Sequence, residues 1–242
     1  MKQTTMKISK KTLEVLKNFS NINQNIYIEP GNKIYTISKP PNIVAEAHVD
    51  ETFDTTICIY EMSKFLGVIS LFESPEFEFD DKSVTVHGHN NGKIKYHFCE
   101  PKVIEKFVGM HGKLPKEGKK HFSFSLSQRQ IDELIRSANI LQINTIKISE
   151  SDKGGVEVSA ADANNTTPNF YSIHIEDATV SDDAEDAYVQ LRLLNLISGS
   201  YDVDVYEQTV TKWTHKDIDL KYYIAKDIEK DWLWKLKTRF FG

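Results

Sequence analysis

The chain lacks most of the features that announce a chemistry. Its 242 residues include two cysteines, Cys58 in the apolar run TTICIY and Cys99 near a loop. They make no disulfide framework, and both are read as reduced, a buried thiol acting as a small hydrophobe. No segment approaches the roughly 18–20 apolar residues that a membrane-crossing helix needs. The N-terminal MKQTTMKISKK has no apolar run after its lysines, so the expectation is a soluble protein of the cytoplasm with no membrane partner. The phosphate-cradling GxxxxGKS/T, the dinucleotide GxGxxG, HExxH and GxSxG are all missing, which leaves catalysis and cofactor binding without support. A surplus of base is missing too: 30 Lys and Arg stand against 35 Asp and Glu, a net charge of -5. That balance at first argues against a nucleic-acid partner, because phosphate binding normally draws on excess Lys and Arg.

What is present is a repeat. KISKKTLEVLKNFSNIN from Lys7 and SLSQRQIDELIRSANILQIN from Ser125 align without a gap, placing Ser9 on Ser127, Leu13 on Ile131, Glu14 on Asp132, Leu16 on Leu134, Asn21 on Asn139 and Ile22 on Ile140. A repeat so widely spaced indicates a duplicated domain, since a solenoid repeats every ~20–50 residues. At 100° per residue, Leu13, Val15, Leu16, Phe19 and Ile22 share one arc, with Lys10, Lys11, Glu14, Lys17, Asn18 and Asn21 opposite and Ser9 as N-cap. In the second copy Ile131, Leu134, Ala138 and Ile140 form the apolar side, and Gln128, Arg129, Asp132, Arg136 and Asn139 the polar one. Each polar face is open to two readings: a solvated face with i,i+4 ion pairs, or a cationic surface that recurs in an otherwise acidic protein. The acids gather elsewhere, in 73–81 and 176–186.

Between these helices apolar and polar residues alternate around turn signals such as PGN, NNG and DKGG, as in a β-meander. One more helix is expected in each half, over 61–72 with Met62, Phe65, Leu66 and Ile69 inward, and over 193–200. The fold class is therefore α+β, with helices on one face of antiparallel sheet. The expected organisation is an N-terminal domain over 1–106, a Gly, Pro and Lys-containing linker over 107–121, a C-terminal domain over 122–228 and a tail over 229–242. His87, His89, His97 and Cys99 flank the NNG turn on the polar side of a hairpin. Two His at i,i+2 can share a metal, but the other pair should lie further along the partner strand, so they are read as exposed histidines with no metal.

Four segments carry a family resemblance. MKISKKTLEVLKNFSNIN from Met6, followed by DTTICIYEMSKFLGVISLF, closely resembles the first domain of the sliding clamps of T-even-type bacteriophages. LIRSANILQINTIKIS (134–149) resembles the same clamps, and DLKYYIAKD (219–227) is similar to the last strand of proliferating cell nuclear antigen. The likeness covers most of the chain to about residue 227, and the first five residues precede it.

The resemblance implies a trimeric ring of six similar domains, sheets outside and helices lining a hole that encloses duplex DNA. It also implies a non-enzymatic processivity factor that tethers the replicative DNA polymerase, is loaded by an ATP-dependent clamp loader and couples to late-transcription factors in the host cytoplasm. A sliding protein needs bases that meet phosphates loosely, without base-edge contacts that would create sequence-dependent stops. The DNA-facing role falls on Lys10, Lys11, Lys17, Lys64, Arg129 and Arg136, with Arg192 depending on the boundary of its helix. The subunit contact falls on Ile94, Tyr96 and Phe98 of one copy and Phe170, Ile173 and Ile175 of the next. The partner-peptide pocket falls on Tyr223 and Ile224 with Val108 and Leu114 as walls. The acids Glu73, Glu76, Glu78, Asp80, Asp81, Asp182, Asp183, Glu185 and Asp186 would repel duplex from the outer surface, or simply keep it solvated. In the tail, Ile228, Trp232, Leu236 and Phe240 recur every four residues. That stretch is read either as a helix packed on its own domain or as a segment similar to the peptides that clamp partners insert. A monomeric DNA-binding processivity factor of similar fold, and a β-rich virion protein, are the alternatives of other classes.

Overall fold

The computed structural model describes residues 4–89, 91–104, 108–160 and 169–227, so the tail 229–242 lies outside the described residues. The chain forms two compact units, Met1–Leu114 and Pro115–Gly242. In the first, the strands are β1 (Thr4–Lys7), β2 (Ile26–Ile28), β3 (Gly31–Ile37), β4 (Ile43–Phe53), β5 (Ile57–Ile59), β6 (Glu76–Phe79), β7 (Ser83–His87) and β8 (Lys93–His97), with helices α1 (Lys10–Ile22) and α2 (Met62–Ser70). Strands β1-β6-β7-β8 make a four-stranded antiparallel sheet, β3 pairs with β4 and β2 with β5. Thr4 and Thr5, which precede the family resemblance, belong to β1 and pair with Phe79 and Glu78.

α1 begins where Ser9, in extended conformation, turns its hydroxyl onto the amide of Thr12 at 3.2 Å. Glu51 of β4 accepts from the Ser9 amide and the Thr12 hydroxyl, placing a carboxylate at the positive end of the helix. Burial by itself would raise the pKa of Glu51, but the bonds from Thr12 and Ser9 outweigh it and hold the carboxyl below its ordinary range. Val15, Leu16 and Phe19 are buried as the periodicity requires, at about 1.5–3 kcal/mol of burial each. Asn18, expected on the polar face, is buried as well. α1 packs against β3, β4 and α2 together, so its covered arc is wider than its apolar arc.

The second unit contains β9 (Lys120–Leu126), α3 (Gln128–Ile140), β10 (Thr145–Glu150), β11 (Val156–Ala160), β12 (Tyr171–Ile175), β13 (Thr179–Val180), β14 (Ala187–Gln190), β15 (Tyr201–Tyr206), β16 (Val210–His215) and β17 (Leu220–Ala225). Its sheets run β12-β11-β10-β14 and β13-β9-β15-β16-β17. β9 starts inside the stretch 107–121, because KHFSFSL already alternates and buries His121, Phe122, Phe124 and Leu126. Between β10 and β11, Gly155 takes φ 74°, and a Cβ there would stand 2.3 Å from the Ile175 carbonyl, so the DKGG turn requires its last glycine.

α3 repeats the start of α1 with a fuller cap. The Ser127 hydroxyl accepts from the Gln130 amide, and the Gln130 side chain accepts from the Ser127 amide at 2.9 Å. Ile140, expected on the apolar side, is 71% exposed. The helix closes just there: Gln142 adopts φ 56°, its amide bonds to the Asn139 carbonyl at 3.2 Å, and the Ile143 amide reaches the Ala138 carbonyl at 2.8 Å. Ile143 is the residue turned inward instead.

The helix expected over 193–200 does not form. Only a 3-10 turn over Leu191–Leu193 appears, and side chains from elsewhere in the unit take over the backbone beyond it. The Tyr222 hydroxyl accepts from the Ile197 amide at 3.2 Å, the Tyr201 hydroxyl donates to the Ile197 carbonyl at 2.6 Å, and His215 Nε2 lies 3.1 Å from the Ser198 carbonyl. Gly199 donates to the Gln128 side chain. With these groups satisfied from outside, the segment has nothing to gain from a helical ladder.

Candidate nucleic-acid interface and assembly edges

Each unit turns a polar helix face to solvent. On α1, Lys10, Lys11, Glu14, Lys17 and Asn21 are exposed, and on α3, Arg129, Asp132, Arg136 and Asn139 are. Lys10, Lys11, Lys17 and Arg136 have no carboxylate partner among the described residues. Many lysines on or beside strands contrast with them: Lys7 pairs with Glu76 (3.3 Å), Lys33 with Glu46 (3.2 Å), Lys95 with Asp80 (3.5 Å), Lys120 with Asp204 (2.9 Å), Lys147 with Asp186 (2.8 Å) and Lys216 with Asp202 (3.0 Å). The acid-rich stretches are thus partly neutralised by bases on neighbouring strands, while α1 keeps its positive charges available for an outside anion.

Two of the expected cations are tied. Lys64 of α2 is held by Glu61 at 2.9 Å, which raises its pKa. Arg129 of α3 is held by Glu133 at 2.8 Å, one helical turn along, and Glu133 also accepts from the Tyr171 hydroxyl of β12 at 3.2 Å. The bond from Arg129, then that from Tyr171, keeps the Glu133 carboxyl below its usual range. The spacing of Arg129 and Glu133 marks such a pair in the sequence, but the Tyr171 contact has no local signature. Arg192 lies on the 3-10 turn, exposed, with its Nε 2.8 Å from the Gln190 side chain.

The strand edges follow from sheet order. Among the described residues β8, with Ile94, Tyr96 and the adjoining Phe98, is a border strand of its sheet, and β12, with Ile173 and Ile175, is a border strand in the second unit. Ile94, Tyr96, Phe98 and Ile173 are half-buried, Ile175 is buried, and Phe170 just before β12 is 61% exposed. Border strands leave one row of backbone donors and acceptors for another chain.

Of the residues expected to form a peptide pocket, Val108 is half-buried and Leu114 is 38% exposed in the first unit. Tyr223 and Ile224, on β17 of the second, are 4% and 0% exposed. The Tyr223 hydroxyl donates to Glu117 at 2.9 Å, and the same carboxylate accepts from the Tyr206 hydroxyl at 2.8 Å and from Lys212 at 2.7 Å. Partial burial would raise the pKa of Glu117. The bonds from Lys212, Tyr206 and Tyr223 prevail and hold it at about 2. No sequence pattern singles out Glu117, because its partners come from β15, β16 and β17.

The histidines of the β7–β8 hairpin are spread out: His87 lies opposite Lys93, and His97 opposite Ser83 at the far end. His87 stands 3.0 Å from Glu78, and Cys99 faces Cys58. Among the described residues there is no group of three or more His, Cys, Asp or Glu that could hold a metal ion, and no helix is long and apolar enough to cross a membrane.

No family model matches the sequence. It is 24% identical over 223 residues to the sliding clamp of Vibrio phage KVP40, a match covering 92% of this chain and 99% of that protein. It is 27% identical over 150 residues to the sliding clamp of Escherichia phage RB69 and 28% identical over 151 residues to that of Enterobacteria phage T4. Those matches span 61% and 60% of this chain and 63% and 62% of the two relatives. Among solved structures, it superposes on Proliferating Cellular Nuclear Antigen from Entamoeba histolytica with a TM-score of 0.65 at 12% identity, covering 93% of this chain and 98% of that one. It superposes on A. fulgidus PCNA, solved with the C-terminal region of FEN-1 bound, with a TM-score of 0.67 at 12% identity, covering 94% and 98%. The chain therefore has the PCNA-like clamp fold, mostly antiparallel sheet with three α-helices of eight or more residues among the described residues, and its sequence relatives include the sliding clamps of T4-like bacteriophages.

Proposed function

We propose that this protein is a sliding clamp: a homotrimeric ring that encircles duplex DNA and tethers a viral replicative polymerase as a processivity factor. The observation that carries the reading is the α1 face, where Lys10, Lys11 and Lys17 stand exposed with no carboxylate partner among the described residues. Arg136 stands likewise on the matching helix of the second unit. Such cations meet phosphates at any sequence, and long flexible side chains let the contact move along the duplex. Lys64, Arg129 and Arg192 add charge that Glu61, Glu133 and Gln190, in that order, already engage in the free protein.

Ring closure in this reading pairs β8 of one copy with β12 of the next, extending both sheets and covering Ile94, Tyr96, Phe98, Phe170, Ile173 and Ile175. An ATP-dependent loader opens and closes the ring. Partners, the polymerase first and late-transcription factors with it, bind the ring through an apolar peptide. Topology then replaces tight binding: polymerase that lets go of the primer remains at high effective concentration. No step here requires catalysis by the chain itself.

The test is retention on DNA after loading. Protein loaded onto nicked circular plasmid should remain through a high-salt wash and leave when the plasmid is linearised. A protein that leaves circular and linear DNA alike as salt rises is a charge-held monomeric factor, and encirclement is then wrong.

A further inference from the structure

One pair of reactive side chains stands apart from the helix faces and the strand edges. Cys58 on β5 and Cys99, just beyond β8, place their Sγ atoms 3.0 Å apart, and the Cys99 amide donates to the Cys58 carbonyl at 2.9 Å. Both are free thiols, Cys58 buried and Cys99 part-exposed. β5 is held on its other side by β2, with Tyr27 opposite Cys58. A disulfide needs sulfurs ~2.05 Å apart, so closing the gap takes about 1 Å of side-chain movement between segments already joined through the backbone.

We propose that Cys58 and Cys99 form a redox-active dithiol, reduced in the resting protein, that closes to an intramolecular disulfide when a peroxide oxidises Cys99. The part-exposed Cys99, as its thiolate, attacks the O–O bond, giving a sulfenic acid and, with its proton, the first water. The Cys58 sulfur then attacks the Cys99 sulfur. The S–S bond forms, and the departing hydroxide leaves with the Cys58 proton as the second water. Two thiols have lost two electrons and the peroxide has gained them. Burial, and then the bond to Cys99, push the Cys58 thiol up, which suits a resolving partner rather than the first site of attack. The bridge would span 41 positions of sequence, tying β5 to the chain leaving border strand β8 and restricting the unfolded chain more than the folded one.

The experiment treats the folded full chain with hydrogen peroxide, blocks remaining thiols in denaturant and maps peptides without reduction. Oxidation of the exposed thioether of Met110, 36% accessible, reports the peroxide dose. The expected product migrates as a monomer on a non-reducing gel and yields one cross-linked peptide pair containing residues 58 and 99. Its melting temperature is raised, and dithiothreitol reverses the change. In Cys58→Ser, Cys99 should instead accumulate as a sulfenic acid that dimedone traps. Sulfinic acid at Cys99 beside a still-alkylatable Cys58, a disulfide only between chains, or two unmodified thiols after Met110 has become sulfoxide would each overturn the proposal.

Discussion

Glu117 gathers three donors, Tyr206, Lys212 and Tyr223, onto one carboxylate, and its replacement is the clearest test of how the second unit holds the chain that enters it. Because Glu117 is 40% exposed, solvent discounts its charge, and the cost of Glu117→Gln is set by weakened hydrogen bonds at about 1–2 kcal/mol. Urea unfolding at neutral pH should show that loss. With a folded pKa of about 2 against an ordinary value near ~4.3, the carboxylate stabilises the fold above the ordinary value. That contribution is lost as pH falls toward about 2, so parent and variant should converge across that window. A gap unchanged at low pH would mean the charge is not what matters. At this scale the sequence was informative where helix geometry alone decides exposure, as for Lys10, Lys11, Lys17, Arg129 and Arg136. It was silent on Glu117 and Glu133–Tyr171, whose partners come from separate strands, and it misplaced Asn18, which is buried.

Among the elements, α1 and α3 were readable because their signals are local: a serine cap, a 3.6-residue apolar period and a length of 13 residues each. Ser127→Ala removes the acceptor for Gln130 and unpairs the capping box, and should destabilise the second unit by about 1 kcal/mol in urea unfolding. The run 193–200 shows the opposite case. Its leucines are compatible with a helix, yet Tyr201, Tyr222 and His215 bind its backbone. A Cβ on Gly199 would fall 2.0 Å from His215 Nε2, so Gly199→Ala should displace that ring and cost about 1–3 kcal/mol. A neutral result in thermal melts would show that His215 has room to move. The end of α3 was misread for a related reason. Gln142, rather than glycine, takes the left-handed position, and no residue type there announces the stop that leaves Ile140 outside and turns Ile143 in.

The whole molecule, in the clamp reading, exists only as an assembly, and Phe170 offers a way to disturb assembly without disturbing the fold. At 61% exposure in the isolated chain it contributes little to its own unit, whereas a carboxylate introduced into a covered apolar contact is strongly unfavourable. Phe170→Asp should leave the melting temperature of the monomer unchanged while shifting sedimentation from trimer toward monomer and abolishing retention on circular DNA. Trimers of undiminished stability would place the subunit contact elsewhere. The sequence by itself determined the duplicated helices, their caps, their solvent faces and the alternation of the strands, because each depends on side-chain order within a few turns or one pleat. Only the tertiary structure decided which strands border their sheets, which cations are neutralised, where a leucine-rich run is denied its helix and that two distant thiols meet. Those outcomes depend on which remote segments come into hydrogen-bonding range, and nothing in the local pattern of a chain encodes that.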